Sequence, residues 1–344
     1  MRFASDNTSG VCPEVLAALS EEASRSGPAY GADPASVALT EALGGLFERE
    51  VEVWPVATGT AANSLALAAA CPPWGGVLCH RLAHIAVDEL AAPTVIGGGI
   101  TLFPLDGEDG KLRPEALAAA AARVDHDVHT VPHSALSLTQ STEVGTRYRS
   151  DEVAALATAA HTAGLTVHMD GARFANAVAA TGASPADLTW RAGVDVLSFG
   201  ATKGGALAAE ALVVFSPDRV THVDRHRKRF GHLLSKQRLV AAQFLGWLAD
   251  DAWLRHADHA NSMATRLGEG LVERGRVPSF PVETNMVFVP LADAAEEAAW
   301  RAGGAEFYSM PTGAGGRVAR LVTSWSSTAD EVDRFLDLVD TPRD

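Results

Sequence analysis

Asp195-Val196-Leu197-Ser198-Phe199-Gly200-Ala201-Thr202-Lys203-Gly204-Gly205 runs from an apolar strand pattern into small residues that surround one lysine. A short apolar run closed by glycine reads as a buried strand. The chain holds 28 lysines and arginines, and only Lys111, Lys203, Lys228 and Lys236 are lysine. Arginine stays protonated, whereas a desolvated lysine can lose its proton and form a Schiff base. Lys111 follows the polar turn Asp106-Gly107-Glu108-Asp109-Gly110, and Lys228 and Lys236 fall in a basic helical stretch. Lys203 alone follows a buried strand, with neighbours small enough for a flat ligand to approach. On this segment alone, a surface lysine in a glycine loop is the competing reading.

One strand earlier, Val167-His168-Met169-Asp170-Gly171-Ala172-Arg173 puts a carboxylate at the C-terminal end of an apolar run. Open α/β sheets bind ligands at that edge. Asp170 there suits an aromatic nitrogen that must stay protonated, and Arg173 suits an anion held bidentately. A structural Asp–Arg pair is the plainer alternative. Further upstream, Thr58-Gly59-Thr60-Ala61-Ala62-Asn63 puts glycine and a hydroxyl at a helix start, where free N–H groups and the helix dipole can hold a phosphate. A simple Thr N-cap explains the same residues. Gly97-Gly98-Gly99 precedes a strand instead of opening a helix, which weakens a dinucleotide-binding reading.

Strand and helix alternate on both sides of these segments. Apolar runs at 51–56, 76–80, 100–105, 165–169 and 211–215 read as strands, and His129–Val131 and Leu136–Thr139 as short segments near the sheet. Helical spacing marks 13–25, 64–70, 114–123 and 151–163. This alternation predicts a mostly parallel sheet covered by helices. From about Arg219 a long helical stretch leads to a smaller α+β lobe with strands at 286–289 and 318–322. The expected division is a large domain over 1–250, with the N-terminal arm, and a small domain over 251–344.

The chain has 344 residues, 47% of them hydrophobic and 20% charged, which supplies a large core and argues against disorder. Its net charge of -14 disfavours nucleic acid and anionic membrane as partners. Cys12, Cys71 and Cys79 form no C-x-x-C pair, which fits a reducing cytoplasm. No apolar run reaches membrane length, so a soluble cytoplasmic protein is expected. His80 and His84 have the i,i+4 spacing of a helical metal pair, but without a Glu or Cys cluster beside them no metal is expected. Arg225-His226-Arg227-Lys228-Arg229 reads as a solvated basic face or a local anion site.

Asp170 and Lys203 on consecutive strands, after a phosphate-type helix start, are the set that pyridoxal 5'-phosphate (PLP) requires. Their order matches the aspartate-aminotransferase fold, fold type I, with a seven-stranded-type sheet and a small C-terminal domain. The chain also resembles the low-specificity L-threonine aldolases, including the phenylserine aldolase branch, nearly end to end. The matching stretches are Phe3–Asn7, Tyr30–Pro34, Ala57–Asn63, His84–Glu89, Leu138–Thr146, His168–Asn176, Arg227–Lys236 and Arg320–Trp325.

That resemblance implies a set of roles. Lys203 would hold PLP, Asp170 would pair with its ring nitrogen, and His84 would stack on the ring near the substrate's β-hydroxyl. Ser5, Arg173 and Arg320 would grip the substrate carboxylate, while Gly59 and Thr60 cradle the phosphate. Arg229 and Tyr30 would reach a neighbouring subunit's site in a homodimer or homotetramer. The reaction implied is Cα–Cβ cleavage of a β-hydroxy amino acid to glycine and an aldehyde, with His84 or a water as base. Many threonine aldolases carry Glu-Asn-Thr-His where this chain has Thr139-Gln140-Ser141-Thr142, so Thr142 bears on threo/erythro preference. Two other outcomes share the scaffold: β-elimination or transamination, and a non-catalytic regulator.

Overall fold

The computed structural model describes residues 1–123, 128–313 and 315–340. The remainder of the expected 251–344 lobe, residues 314 and 341–344, lies outside the described residues. The larger sheet has seven strands: β1 (Glu52–Val56), β2 (Gly76–His80), β3 (Thr101–Leu105), β4 (His133–Thr139), β5 (Thr166–Gly171), β6 (Val196–Gly200) and β7 (Glu210–Val214). Their order is β1-β7-β6-β5-β4-β2-β3, and β7 alone runs antiparallel to its neighbours.

Every residue of β2, β5, β6 and β7 is buried. Strands covered on both faces must be apolar at every position, which is why these segments read as continuous apolar runs. Alternate residues still sort to opposite faces. Leu197, Phe199, Ala211 and Val213 join one core, whereas Val196, Leu212 and Val214 join another with Ala62, Leu65 and Ala66 of the helix Gly59–Ala70. The outer strands β1 and β3 carry Pro55 and Pro104, which edge positions tolerate because a missing N–H there breaks fewer ladder bonds.

A second, antiparallel sheet has the order β8-β10-β9, with β8 (Met286–Leu291), β9 (Tyr308–Pro311) and β10 (Arg317–Val322). Its own core contains Val287, Val289, Leu321, Trp300 and Phe335. Phe3 of the N-terminal arm packs edge-on against Phe335 at 5.5 Å, and Arg2 bridges to Glu306. No helix among the described residues is long and apolar enough to cross a membrane.

Three local expectations need correction. The helical stretch after Arg219 is broken into Val223–Arg229, Arg238–Leu248 and Ala252–Glu273, the last break carrying Asp250 and Asp251 at φ 51° and 55°. His129–Val131 is an exposed turn, because the strand starts only beyond Pro132. His80 ends β2 while His84 opens the short helix His84–Val87, so their spacing is not helical.

His168 on β5 shows what this burial imposes on a titratable group. Its ring lies between Ser137 Oγ on β4 (2.9 Å from Nδ1) and Ser198 Oγ on β6 (3.0 Å from Nε2). Burial pushes its pKa down to about 4, with Asp170 opposing weakly. The folded state therefore stays neutral while the unfolded chain takes up a proton near pH 6.5. The stability tied to the neutral ring is full above pH 6.5 and is lost as pH falls toward 4, by about 3 kcal/mol. Denaturant unfolding from pH 7 to 4 should show this loss in the native chain and a shallower one in His168→Gln. Equal slopes would refute it.

Candidate active site

The Lys203 turn is built on the aromatic core beneath it. Phe199, at the end of β6, packs against Phe244, Trp247 and Trp253 at 5.8, 5.5 and 6.0 Å. Trp247 Nε1 donates to Gly204 O at 2.9 Å, and a Cβ on Gly204 would come within 2.6 Å of the Trp247 ring. Gly205 has φ +113°, a conformation that side chains rarely adopt. Glycine at both positions thus lets the chain fold tightly over Trp247 and present half-buried Lys203 above the sheet edge.

Asp170 leaves the same edge one strand away, opposite Ser198 in the β5–β6 register. It is buried; Oδ1 accepts from Ala172 N at 3.0 Å and Oδ2 from Asn63 Nδ2 at 2.9 Å. Asn63 lies on the helix Gly59–Ala70, whose N-cap Thr58 accepts from Ala61 N at 3.1 Å. Gly59 and Thr60 form the first turn, where backbone N–H groups lack acceptors within the helix. A Cβ on Gly59 would meet only Glu210 Oε2, at 3.9 Å, so approach to this helix start is open. Glu210 is buried, and burial raises its pKa to about 7 despite Thr202 and Lys203.

His84 is half-buried, with Nδ1 2.8 Å from Glu89 Oε1. This bond raises the His84 pKa, against the opposing effect of burial. The Glu89 side chain is inaccessible, and burial raises its pKa. Its Oε1 also accepts from Asn63 Nδ2 at 2.8 Å, while Oε2 and Asn63 Oδ1 are buried without a partner among the described residues. His80 turns away, with Nε2 3.1 Å from Gly107 O.

The two arginines expected on a carboxylate differ in what they already hold. Arg173 is buried and gives Nε and Nη2 to Asp6 Oδ2 and Oδ1 at 2.7 and 3.0 Å. Burial works to raise the Asp6 pKa, but the charges of Arg173 and Lys203 bring it down to about 2. Arg320 on β10 lies against Ala4 O at 3.5 Å and Met286 Sδ at 3.8 Å, with no carboxylate partner among the described residues. Burial, and then the charge of Arg173, lower its pKa. Ser5 caps the turn Asp6–Thr8 by accepting from Asn7 N at 3.2 Å.

The remaining expected residues sit elsewhere. Thr142 is buried, and its Oγ1 is 2.7 Å from Thr146 Oγ1. Tyr30 is exposed, with Lys228 Nζ 5.3 Å from its ring and its N–H on Ser235 O. Arg229 is exposed at the end of the helix Val223–Arg229 and lies over Phe230 at 5.7 Å. The basic run is not one solvated face, because Arg227 is buried and donates to Pro55 O at 3.2 Å.

Asn63, Glu89, Asp6 and Glu210 are neighbours of the candidate residues that sequence reasoning passed over. The first three lie inside motif stretches already singled out, so their signal was position beside a named residue. Glu210 gave none beyond being an acid within an apolar strand.

Three comparisons with known proteins agree with this geometry. The family model described as Beta-eliminating lyase matches residues 2–294. A low specificity L-threonine aldolase of Pseudomonas aeruginosa is 45% identical over 332 residues, 96% of this chain and 94% of that protein. A threonine aldolase structure from Leishmania major superposes with a TM-score of 0.91 at 28% identity, covering 98% of each chain. The serine palmitoyltransferase of Sphingomonas wittichii has a TM-score of 0.76 at 14% identity, covering 99% of this chain and 86% of that one, a likeness of fold alone. A seven-stranded sheet with its lysine and acid at one edge, and relatives this similar over almost the whole length, lead to one conclusion: the chain belongs to the low-specificity L-threonine aldolases, within the beta-eliminating lyase family.

Proposed function

We propose that the chain is a PLP-dependent carbon–carbon lyase that cleaves L-threonine, L-allo-threonine or a related β-hydroxy-α-amino acid such as phenylserine to glycine and an aldehyde. One observation carries the reading: Asp170 and the Lys203 turn leave the same sheet edge, and His84 is tied to that edge through Glu89 and Asn63. The donor set fits the cofactor. An amine, a buried carboxylate and an open helix start belong to one edge of the sheet, and Asn63 Oδ1 and Glu89 Oε2 lack partners among the described residues.

When bound, PLP supplies an electron sink for the pair released as Cα–Cβ breaks. Lys203 would tether it through Nζ, the amine presented at this sheet edge. The Asp170 carboxylate would keep its ring nitrogen protonated, and Gly59 and Thr60 would offer N–H groups to its phosphate. Arg320, which has no carboxylate partner among the described residues, takes the substrate's carboxylate beside Ser5; Arg173, with Nε and one Nη2 hydrogen held by Asp6, can add Nη1 and the second Nη2 hydrogen. His84 accepts the β-hydroxyl proton directly or through a water. Thr142, whose hydroxyl is already bonded to Thr146, contributes shape to the choice between threo and erythro substrates.

The same reading makes the chain a cytoplasmic homodimer or homotetramer, with residues 1–250 and 251–344 as its two domains. Support for assembly comes from Leu90 at 99% and Val87 at 55% exposure, both flanking the His84 segment, and from the surface positions of Tyr30 and Arg229. Apolar side chains so exposed beside a site fit a partner subunit better than water. The three cysteines are buried and free.

Purified protein supplied with PLP and threonine or phenylserine should release acetaldehyde or benzaldehyde together with glycine. Pyruvate or another keto acid without aldehyde would replace the reading with β-elimination or transamination. No turnover of any amino acid would leave the non-catalytic regulator.

A further inference from the structure

Glu89 and Asn63 have no part in the reaction as described so far, yet both are buried polar groups linked to His84. Glu89 Oε1 sits 2.8 Å from both His84 Nδ1 and Asn63 Nδ2, and the same Asn63 nitrogen is 2.9 Å from Asp170 Oδ2. The chemistry of these partners fixes the protons. An Asn63 oxygen facing two carboxylates would be repelled by both, so the amide must present its NH2 group to them. Its Oδ1 is then the atom left without a partner, as observed. With Glu89 ionised, Oε1 has no hydrogen to give, so it accepts from the His84 nitrogen as well as from Asn63. Nδ1 therefore carries the hydrogen, and Nε2 is left with its lone pair when the ring is neutral.

We propose that Glu89 is a positioning residue that holds His84 as the Nδ1–H tautomer, presenting Nε2 as the proton acceptor, with Asn63 joining this pair to Asp170. The proposal rests on the aldolase reading for the identity of the proton that Nε2 receives, but not for the tautomer itself. Its logic is that of a histidine oriented by a buried carboxylate in any general-base pair. The carboxylate also sets basicity, because its charge favours the protonated ring. Glu143 and Asp170 act on His84 in the same sense from farther away. Asn63 has a separate task. Two buried carboxylates so close would otherwise push a proton onto one of them, and a shared NH2 between them eases their repulsion.

The test has two arms. In native protein labelled with ¹⁵N-histidine and titrated to alkaline pH, the His84 resonances, assigned by their loss in His84→Asn, should report a protonated Nδ1 and a bare Nε2 once the ring is neutral. A neutral ring with its hydrogen on Nε2 would overturn the proposal whether or not the protein cleaves any substrate. In the second arm, kcat and kcat/KM for aldehyde release are followed against pH. Glu89→Gln should lower plateau kcat about 10²-fold, with little change in KM. It should also move the acid limb of kcat/KM down by about one pH unit or more, since the group holding the His84 proton is gone. A purely structural Glu89 would lower stability and leave the limb in place, and that result counts against the proposal. An intact pH profile in Glu89→Gln, with activity lost in His84→Asn, would remove Glu89 and leave the aldolase reading standing. Absence of aldehyde from the native protein would remove the aldolase reading and leave the tautomer to the first arm.

Discussion

Lys203→Ala should abolish aldehyde release, with a loss on the order of 10⁴-fold or more, since removal of a covalent catalytic group is rarely compensated. Protein mixed with PLP and treated with borohydride should retain the cofactor through Lys203 in the native chain and release it on denaturation in the variant. The fold should survive the change. Lys203 is half-buried in a turn held by Trp247 on Gly204 O and by the φ of Gly205, and neither depends on the lysine side chain. Loss of activity without loss of thermal stability is therefore the expected pair of results. A variant that still fixes cofactor under borohydride, or still turns over, would show that another amine does this work.

Arg320→Gln should lower kcat/KM about 10²-fold, mainly through KM, because a charge-assisted bidentate contact to a carboxylate contributes about 2–5 kcal/mol when one partner is removed. Its stability should not fall. A largely buried guanidinium without a carboxylate partner is a strain on the free protein, as the lowered pKa of Arg320 reflects. Substrate would supply the missing charge. Arg173→Gln should behave in the opposite way. It strands the buried Asp6 carboxylate, and breaking such a pair costs about 3–5 kcal/mol of stability. Comparing thermal midpoints and KM for the two variants separates an arginine waiting for substrate from one that secures the N-terminal arm. Equal losses of stability in both would contradict this division.

The contrast between these arginines marks the limit of what the chain's order of residues discloses. Arg173 follows Asp170 by three positions, and the sequence sets it beside Arg320 and Ser5 as a carboxylate ligand without distinguishing them. Nothing local reveals that Asp6, far away in the chain, folds back to occupy Arg173. His84 presents the same problem. Its five-residue spacing from Glu89 is visible, but the bond between them needs Glu89 buried against Asn63, on a different helix. The apparent pair His80–His84 failed for a related reason, since a strand end and a turn separate them.

The strands and their order of chemistry were determined by local pattern. Buried parallel strands demand unbroken apolar runs, and a tight turn over Trp247 demands Gly204-Gly205, so β5, β6 and the positions of Asp170 and Lys203 follow from sequence alone. Local pattern also marked the helix start at Thr58–Thr60, because free N–H groups belong to any helix beginning. Which charged side chains meet was decided only in three dimensions. Burial removes water as an alternative partner, so Asp6, Asn63, Glu89 and Arg173 must take whichever complement the packed sheets and helices bring within reach. Those contacts leave Arg320 without a carboxylate partner among the described residues and tie His84 Nδ1 to Glu89.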